Sequence, residues 1–181
     1  MTPKPKRCKV CKDPFIPRQP MQKVCGIECA KEEAVKVREK AERIADRTAR
    51  MNLKTRSDWL KEAQAAFNTF IRTRDAGKSC ICCSKPLEGA AVGGGYDAGH
   101  YRSVGSAPHL RFDESNVHGQ TKHCNRYGSG RAVDYRLGLI QRIGLAEVER
   151  IEADQAPRKW SIEDLKAIKA EYTRKARELR K

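Results

Sequence analysis

Aromatic residues are scarce in this 181-residue, 20.4 kDa chain, at 6%, and hydrophobic residues of all kinds reach only 39%. That excludes a large buried core, and the length leaves room for one domain or two small ones. No apolar run approaches the ~18 residues that a membrane span needs, so a membrane enzyme is excluded as well. The opening Met1-Thr2-Pro3-Lys4-Pro5-Lys6-Arg7 lacks the apolar segment of a secretory signal, which makes the cytoplasm the expected compartment. Acidic residues are also in short supply: 23 Asp and Glu against 38 Lys and Arg leave a formal charge of +15 and a pI near 9.7. An acidic partner follows from that balance, and nucleic acid is the commonest one.

What the chain does hold is eight cysteines, which in a reducing compartment read as metal ligands rather than disulfides. Charge is unevenly spread. Residues 1–50 carry 14 basic and 7 acidic side chains, whereas residues 79–131 carry 6 and 4. That middle stretch also holds all four histidines, four of the cysteines and most of the glycines. The basic flanks read as a grip and the middle as a site.

Four segments follow: 1–30 as a zinc knuckle, 31–78 as a basic helical arm and helix, 79–131 as the site, and 132–181 as C-terminal helices. Residues Ala30 to Ala49 are rich in Lys, Arg, Glu and Ala, with a thin apolar stripe of Val35, Val37 and Ile44, and predict a solvated helix. A second helix opens at Ser57 as N-cap, carries Trp59, Ala63, Phe67, Phe70 and Ile71 at helical spacing, and stops near Gly77. Residues 80–125 predict short β pieces, with Gly93-Gly94-Gly95 as a hairpin tip. Helices resume over 131–143 and 145–153, and a last one starts at Ser161 with Asp164 as its capping acid. The whole is an α+β architecture.

Cys8-Lys9-Val10-Cys11 and Cys25-Gly26-Ile27-Glu28-Cys29 pair two tight thiolate turns within 22 residues. Zinc takes four such soft ligands in a tetrahedron, and a four-thiolate site has no open position for catalysis. Cys8, Cys11, Cys25 and Cys29 therefore predict a structural zinc knuckle, with Phe15 as its apolar plug. The cations around it, among them Lys6, Arg7 and Lys9, predict phosphate contacts.

Cys80-Ile81-Cys82-Cys83 opens the second cluster, which runs through Asp97-Ala98-Gly99-His100-Tyr101 and Asn116 to His123-Cys124-Asn125. A thiolate knuckle, a strand ending in His, an Asn, and Cys-Asn entering a helix resemble the HNH, or ββα-metal, nuclease motif. Asp97–Arg102, Ala107–Phe112, Asn116–Gln120, Cys124-Asn125-Arg126 and Lys166–Tyr172 are similar to the lambdoid phage NinG (Rap) family of recombination endonucleases. The resemblance covers nearly the whole chain.

It implies an HNH-like nuclease core over 79–131 and cleavage of branched recombination intermediates, such as D-loops and Holliday junctions, in the bacterial host. The cofactors implied are Mg²⁺ or Mn²⁺ for catalysis beside two structural Zn²⁺. By the resemblance, His100 is the general base that deprotonates water for in-line attack, leaving 5′-phosphate and 3′-hydroxyl ends. Asn116 orients the loop, and Asn125 is a ligand of the catalytic metal. Two positions depart from the pattern. Gly99 stands where many HNH enzymes carry an acidic metal ligand, so Asp97, if the strand is bulged, or His118 is left to complete the catalytic site. Thr121 replaces the first cysteine of the closing knuckle, so the second zinc has Cys80, Cys83 and Cys124 with a fourth ligand from Cys82, His123 or water.

Arg102, Arg111 and Arg126 flank this site as candidate phosphate contacts, or as plain solvated charges, while His109 reads as a surface or loop residue. A homodimer would suit a symmetric junction. The rival reading of the two departures is a non-catalytic, zinc-dependent DNA-binding adaptor.

Overall fold

The computed structural model describes residues 4–87 and 95–181, so Gly93 and Gly94 of the expected hairpin tip lie outside the described residues. The chain divides into two compact units, Met1–Lys54 and Thr55–Lys181. Each combines helix with a two-stranded antiparallel sheet, a mixed α and β architecture. Among the described residues no helix is long and apolar enough to cross a membrane.

In the first unit β1 (Lys6–Arg7) pairs with β2 (Pro14–Phe15). The chain reverses between them because Lys12 takes a left-handed turn, φ 67°, and returns its N–H to the Cys8 carbonyl at 3.1 Å. Helix α1 (Ile27–Asn52) then runs three residues further at each end than its sequence predicts, and none of its residues is buried. Ion pairs one turn apart, such as Lys36 with Glu32 at 2.6 Å, stabilise it. Each is worth only about 0.3–0.5 kcal/mol.

The second unit holds, in order, α2 (Arg56–Arg74), β3 (Tyr96–His100), β4 (Val117–Thr121), α3 (Ala132–Ile143), α4 (Leu145–Ala153) and α5 (Ile162–Glu178). The break between units falls inside the 31–78 segment. Its first part is the solitary α1, and its second is α2, which packs on α5. Thr55, not Ser57, caps α2: Thr55 Oγ1 accepts the Asp58 N–H at 3.2 Å while the Asp58 carboxylate accepts the Thr55 N–H at 3.0 Å. Ser57 has Leu60 three residues on, so it cannot form this reciprocal box. Ser161 and Asp164 cap α5 in the same way, as expected.

Phe67, Phe70 and Ile71 of α2 bury against Leu165, Tyr172 and Ala176 of α5. The Phe67 ring meets Tyr172 edge-on at 4.7 Å and Phe112 at 5.7 Å. A second core joins Tyr135 and Leu139 of α3 to Val148 and Ile151 of α4, with Ile81 and Leu110. The β3–β4 ribbon is tied to both. Val117 belongs to the first core, and the buried Tyr135 hydroxyl donates to Gly99 O at 2.8 Å and accepts the His118 N–H at 3.0 Å.

Candidate active site and metal centres

The first centre is built by the β1–β2 turn and the start of α1. The sulfurs of Cys8, Cys11, Cys25 and Cys29 all lie within 4.8 Å of one another. Cys11 and Cys25 approach to 3.6 Å, Cys25 and Cys29 to 3.5 Å, and the Cys25 N–H donates to Cys8 Sγ at 3.4 Å. Desolvation opposes charge on Cys8, but the backbone N–H groups of Val10, Cys25 and Cys11 outweigh it and lower the thiol to about 6. The Asp13 N–H favours a Cys11 thiolate, yet desolvation and the neighbouring side chains prevail and push Cys11 up to about 12. Four sulfurs at ligand spacing, with Cys8 lowered and Cys11 and Cys29 raised by their neighbours, fit a dication of the zinc type. Of the surrounding cations, Lys9 is paired with Glu33, Lys6 Nζ donates to Pro20 O at 3.1 Å, and Arg7 is exposed.

The second centre gathers Cys80, Cys83 and Cys124 within the same 4.8 Å limit, with Cys80 and Cys124 buried. The neighbouring Cys82 thiol, more than the opposing desolvation, lowers Cys80 to about 3, helped by the N–H groups of Thr121, Cys82 and Cys83. Two expected fourth ligands are not in this group. Cys82 Sγ accepts Gln120 Nε2–H at 2.9 Å and donates to Gly130 O at 3.7 Å, and His123 is exposed beside Tyr127. Instead Thr121 Oγ1 lies 3.8 Å from Cys80 Sγ and 4.0 Å from Cys83 Sγ.

The π-helical turn His123–Tyr127 carries Asn125 and Arg126 back to β3. Asn125 Nδ2 donates to Asp97 Oδ2 at 3.0 Å, and Arg126 grips the same carboxylate from two nitrogens at 2.8 and 3.0 Å. Burial opposes the charge on Asp97, but Arg126 and Asn125 hold its carboxyl below the usual range. Asp97 and Asn125 thus come together, and an arginine is the cation beside them.

His100 belongs to a different group. Its ring nitrogen Nε2 lies 3.1 Å from Arg111 O, and burial holds its pKa below the ordinary histidine value. Asn116, wholly buried, closes the intervening loop: Nδ2 donates to Arg102 O at 3.1 Å and Leu110 O at 3.2 Å, and Oδ1 accepts the Arg102 N–H at 2.8 Å. The ladder from Tyr96 opposite Thr121 to His100 opposite Val117 is regular, without the bulge that the sequence requires to turn Asp97 toward His100. Strand alternation puts Asp97 on the face of Gln120, and His100 on the face of Val117. Gln120 Oε1 fills the space that Gly99's missing side chain leaves, so a Cβ there would collide with that oxygen.

Three further expectations are corrected. His118 is not available as a metal ligand: it is buried, with Nε2 3.1 Å from Ser115 O and Nδ1 3.1 Å from Arg74 Nη2. Burial, with Arg74 close by, brings its pKa down to about 4. Arg102 is turned inward, where Nη1 donates to the carbonyls of Ile151, Glu152 and Asp154 and closes the end of α4. His109 is buried, not a surface residue, with Nε2 2.8 Å from Asp154 O. Arg111 remains available: its guanidinium donates to Gln64 Oε1 at 3.1 Å and has no acidic partner among the described residues.

Sequence reasoning missed Gln120 and the buried Asp75. The Asp75 carboxylate accepts the Gly119 N–H at 2.7 Å and pairs with Arg74 and Lys78. Burial opposes its charge, but the Arg74 pairing leads the contacts that hold its carboxyl far below the usual range. Only its place after Arg74 at a helix end hinted at this.

A family model described as "Bacteriophage Lambda NinG protein" matches residues 1–181. The chain is 43% identical to Protein ninG of Salmonella phage P22 over 195 residues, which cover 97% of this chain and 94% of that protein. It is 41% identical to Protein ninG of Escherichia phage 933W over 196 residues (98% and 95% coverage). Protein ninG of Escherichia phage lambda is 42% identical over 198 residues, again with 98% and 95% coverage. No solved structure matches the chain. A match over the whole length, knuckles and C-terminal helix included, shows that this chain belongs to the NinG family of bacteriophage proteins.

Proposed function

We propose that this chain is a metal-dependent, structure-specific DNA endonuclease that cuts branched recombination intermediates such as D-loops and Holliday junctions. Its catalytic core is HNH-like, formed by β3, β4 and the turn that carries Asn125. The observation that carries this reading is the state of His100. A carbonyl oxygen can only accept, so the contact with Arg111 O assigns the ring proton to Nε2 and leaves Nδ1 with a free lone pair. Burial also disfavours the charged ring, which keeps His100 neutral at pH 7 and able to take a proton from water. Water so activated attacks phosphorus in line.

Arg111 supplies a positive charge with no acid to neutralise it, beside the backbone carbonyl that orients the base. That suits a phosphate oxygen. Asp97 and Asn125 are oxygen donors of the kind Mg²⁺ or Mn²⁺ takes, and a metal there would displace the Arg126 guanidinium that now pairs with Asp97. The reaction also needs a divalent metal to neutralise charge on the phosphate and the leaving oxygen, and Asp97 lies on the opposite face of the ribbon from His100, so its carboxylate is not beside the base. The zinc knuckle of 1–30 and the basic helix behind it add a salt-sensitive, sequence-independent grip on DNA.

Two observations favour the adaptor reading. Asp97 and His100 lie on opposite faces of the β3–β4 ribbon. Position 99 has no carboxylate, and Gln120 occupies its space. A cleavage assay separates the two. Labelled four-way junction, D-loop, single strand and linear duplex are incubated with Mg²⁺, Mn²⁺ or EDTA, for the native chain and His100→Ala. The nuclease reading expects metal-dependent cutting of branched DNA that falls by about 100-fold or more in the variant, with binding unchanged. Tight binding with no cut in either metal leaves the adaptor.

A further inference from the structure

We propose that Thr121 Oγ1 is the fourth ligand of the second metal centre, making it a three-thiolate, one-oxygen site unlike the four-thiolate knuckle of the first unit. The inference does not depend on the nuclease reading.

Position is the first argument. In a tetrahedral zinc site with Zn–S bonds of about 2.3 Å and a Zn–O bond of about 2.1 Å, an oxygen vertex stands about 3.6 Å from each sulfur. Thr121 Oγ1 is 3.8 Å from Cys80 Sγ and 4.0 Å from Cys83 Sγ, so a small inward shift brings it to the vertex. Three contacts turn Thr121 toward the cluster. Its own N–H donates to Cys80 Sγ at 3.3 Å, its hydroxyl oxygen accepts the Cys124 N–H at 3.3 Å, and Tyr96 pairs opposite it across the ladder. The hydroxyl is therefore held where the strand ends and the metal-binding turn begins.

Competition is the second. Cys82 touches Cys80 but lies outside the mutually close set and hydrogen-bonds Gln120 and Gly130, His123 is exposed, and no His or carboxylate joins the three cysteines among the described residues. Charge is the third. Zn²⁺ with three thiolates and a neutral hydroxyl carries one net negative charge, where a fourth thiolate would make two. Cys80 and Cys124 are buried, and each additional charge in such a place is costly. In the first centre Cys11 and Cys25 are exposed and lysines surround the site, so the second charge is tolerated there. A neutral oxygen is also a weaker partner for zinc than a thiolate, so the second ion exchanges faster than the first.

The test uses the full-length chain loaded with Co²⁺ at both centres, and separately with Zn²⁺ challenged by a chelator. The native d–d spectrum is expected to combine one four-thiolate centre with one centre shifted to shorter wavelength by an oxygen ligand. Thr121→Cys converts it to two four-thiolate centres, Thr121→Ser leaves it unchanged, and Thr121→Val alters it. Cys82→Ala leaves it unchanged. Zinc release is expected in two phases, with the faster one slowed by roughly tenfold or more in Thr121→Cys, the scale on which a site's supporting groups move metal affinity. Two four-thiolate spectra in the native chain overturn the assignment. So does a spectrum unchanged in Thr121→Val, which leaves the vertex to water, one that moves in Cys82→Ala, or binding of a single cobalt. If Thr121→Val does not fold, Thr121→Ala takes its place, with the same unchanged spectrum overturning the assignment.

Discussion

The two units hold metal-type cysteine clusters of similar spacing in opposite surroundings. In Met1–Lys54 the only buried described residues are Cys8 and Pro17, and α1 buries nothing. In Thr55–Lys181 two apolar cores, centred on Phe67 and on Tyr135, flank the ribbon that carries the second cluster. In the first unit the cluster stands where a core would, so a bound ion would carry the fold. In the second it fastens one turn onto a fold that already stands. Clusters of similar cysteines thus have unequal structural roles.

Removing the metal is the strongest way to break that comparison. Structural zinc in small knuckles is worth about 10–16 kcal/mol, far more than the first unit can replace. A tight chelator, or Cys25→Ser, is expected to abolish amide-exchange protection over 6–29 while the α2–α5 core stays protected. Equal loss in both units would contradict the division. Truncating the core is the converse. Phe67→Ala should destabilise the second unit by about 3–5 kcal/mol in denaturant titration, with the zinc of the first unit retained.

Acid sharpens the contrast on a smaller scale, since all four histidines lie in the second unit. His118 is lowered to about 4 in the fold, so folding favours its neutral form. Its contribution is complete above the unfolded value near 6.5 and is lost as pH falls from there toward 4, amounting to about 3 kcal/mol. Nearby Asp75, 3.8 Å from Nδ1, already limits how far burial and Arg74 lower the ring. His118→Gln is expected to flatten the stability profile between pH 6.5 and 4; an unchanged slope would remove His118 as its source.

Much of this was legible in the chain. Paired cysteines at short spacing can only cluster, so both centres were readable from the spacing of Cys8, Cys11, Cys25 and Cys29 and of Cys80, Cys83 and Cys124. Helix positions followed from the spacing of Trp59, Phe67 and Phe70, and the Ser161–Asp164 box marked the start of α5. The roles of the polar residues did not follow. His118, His109 and Arg102 were open to functional or surface readings until their partners, Arg74, Asp154 and the end of α4, were known.

The sequence by itself determined the basic charge, the cysteine clusters, the helices and the family, because each rests on composition or on short-range spacing. Only the tertiary structure decided which polar groups are spent on the fold and which stay available. It put His118 between Ser115 and Arg74, gave the space over Gly99 to Gln120, and set Thr121 against two thiols. A buried polar group must find a partner, and that partner comes from whichever distant segment packing brings within reach.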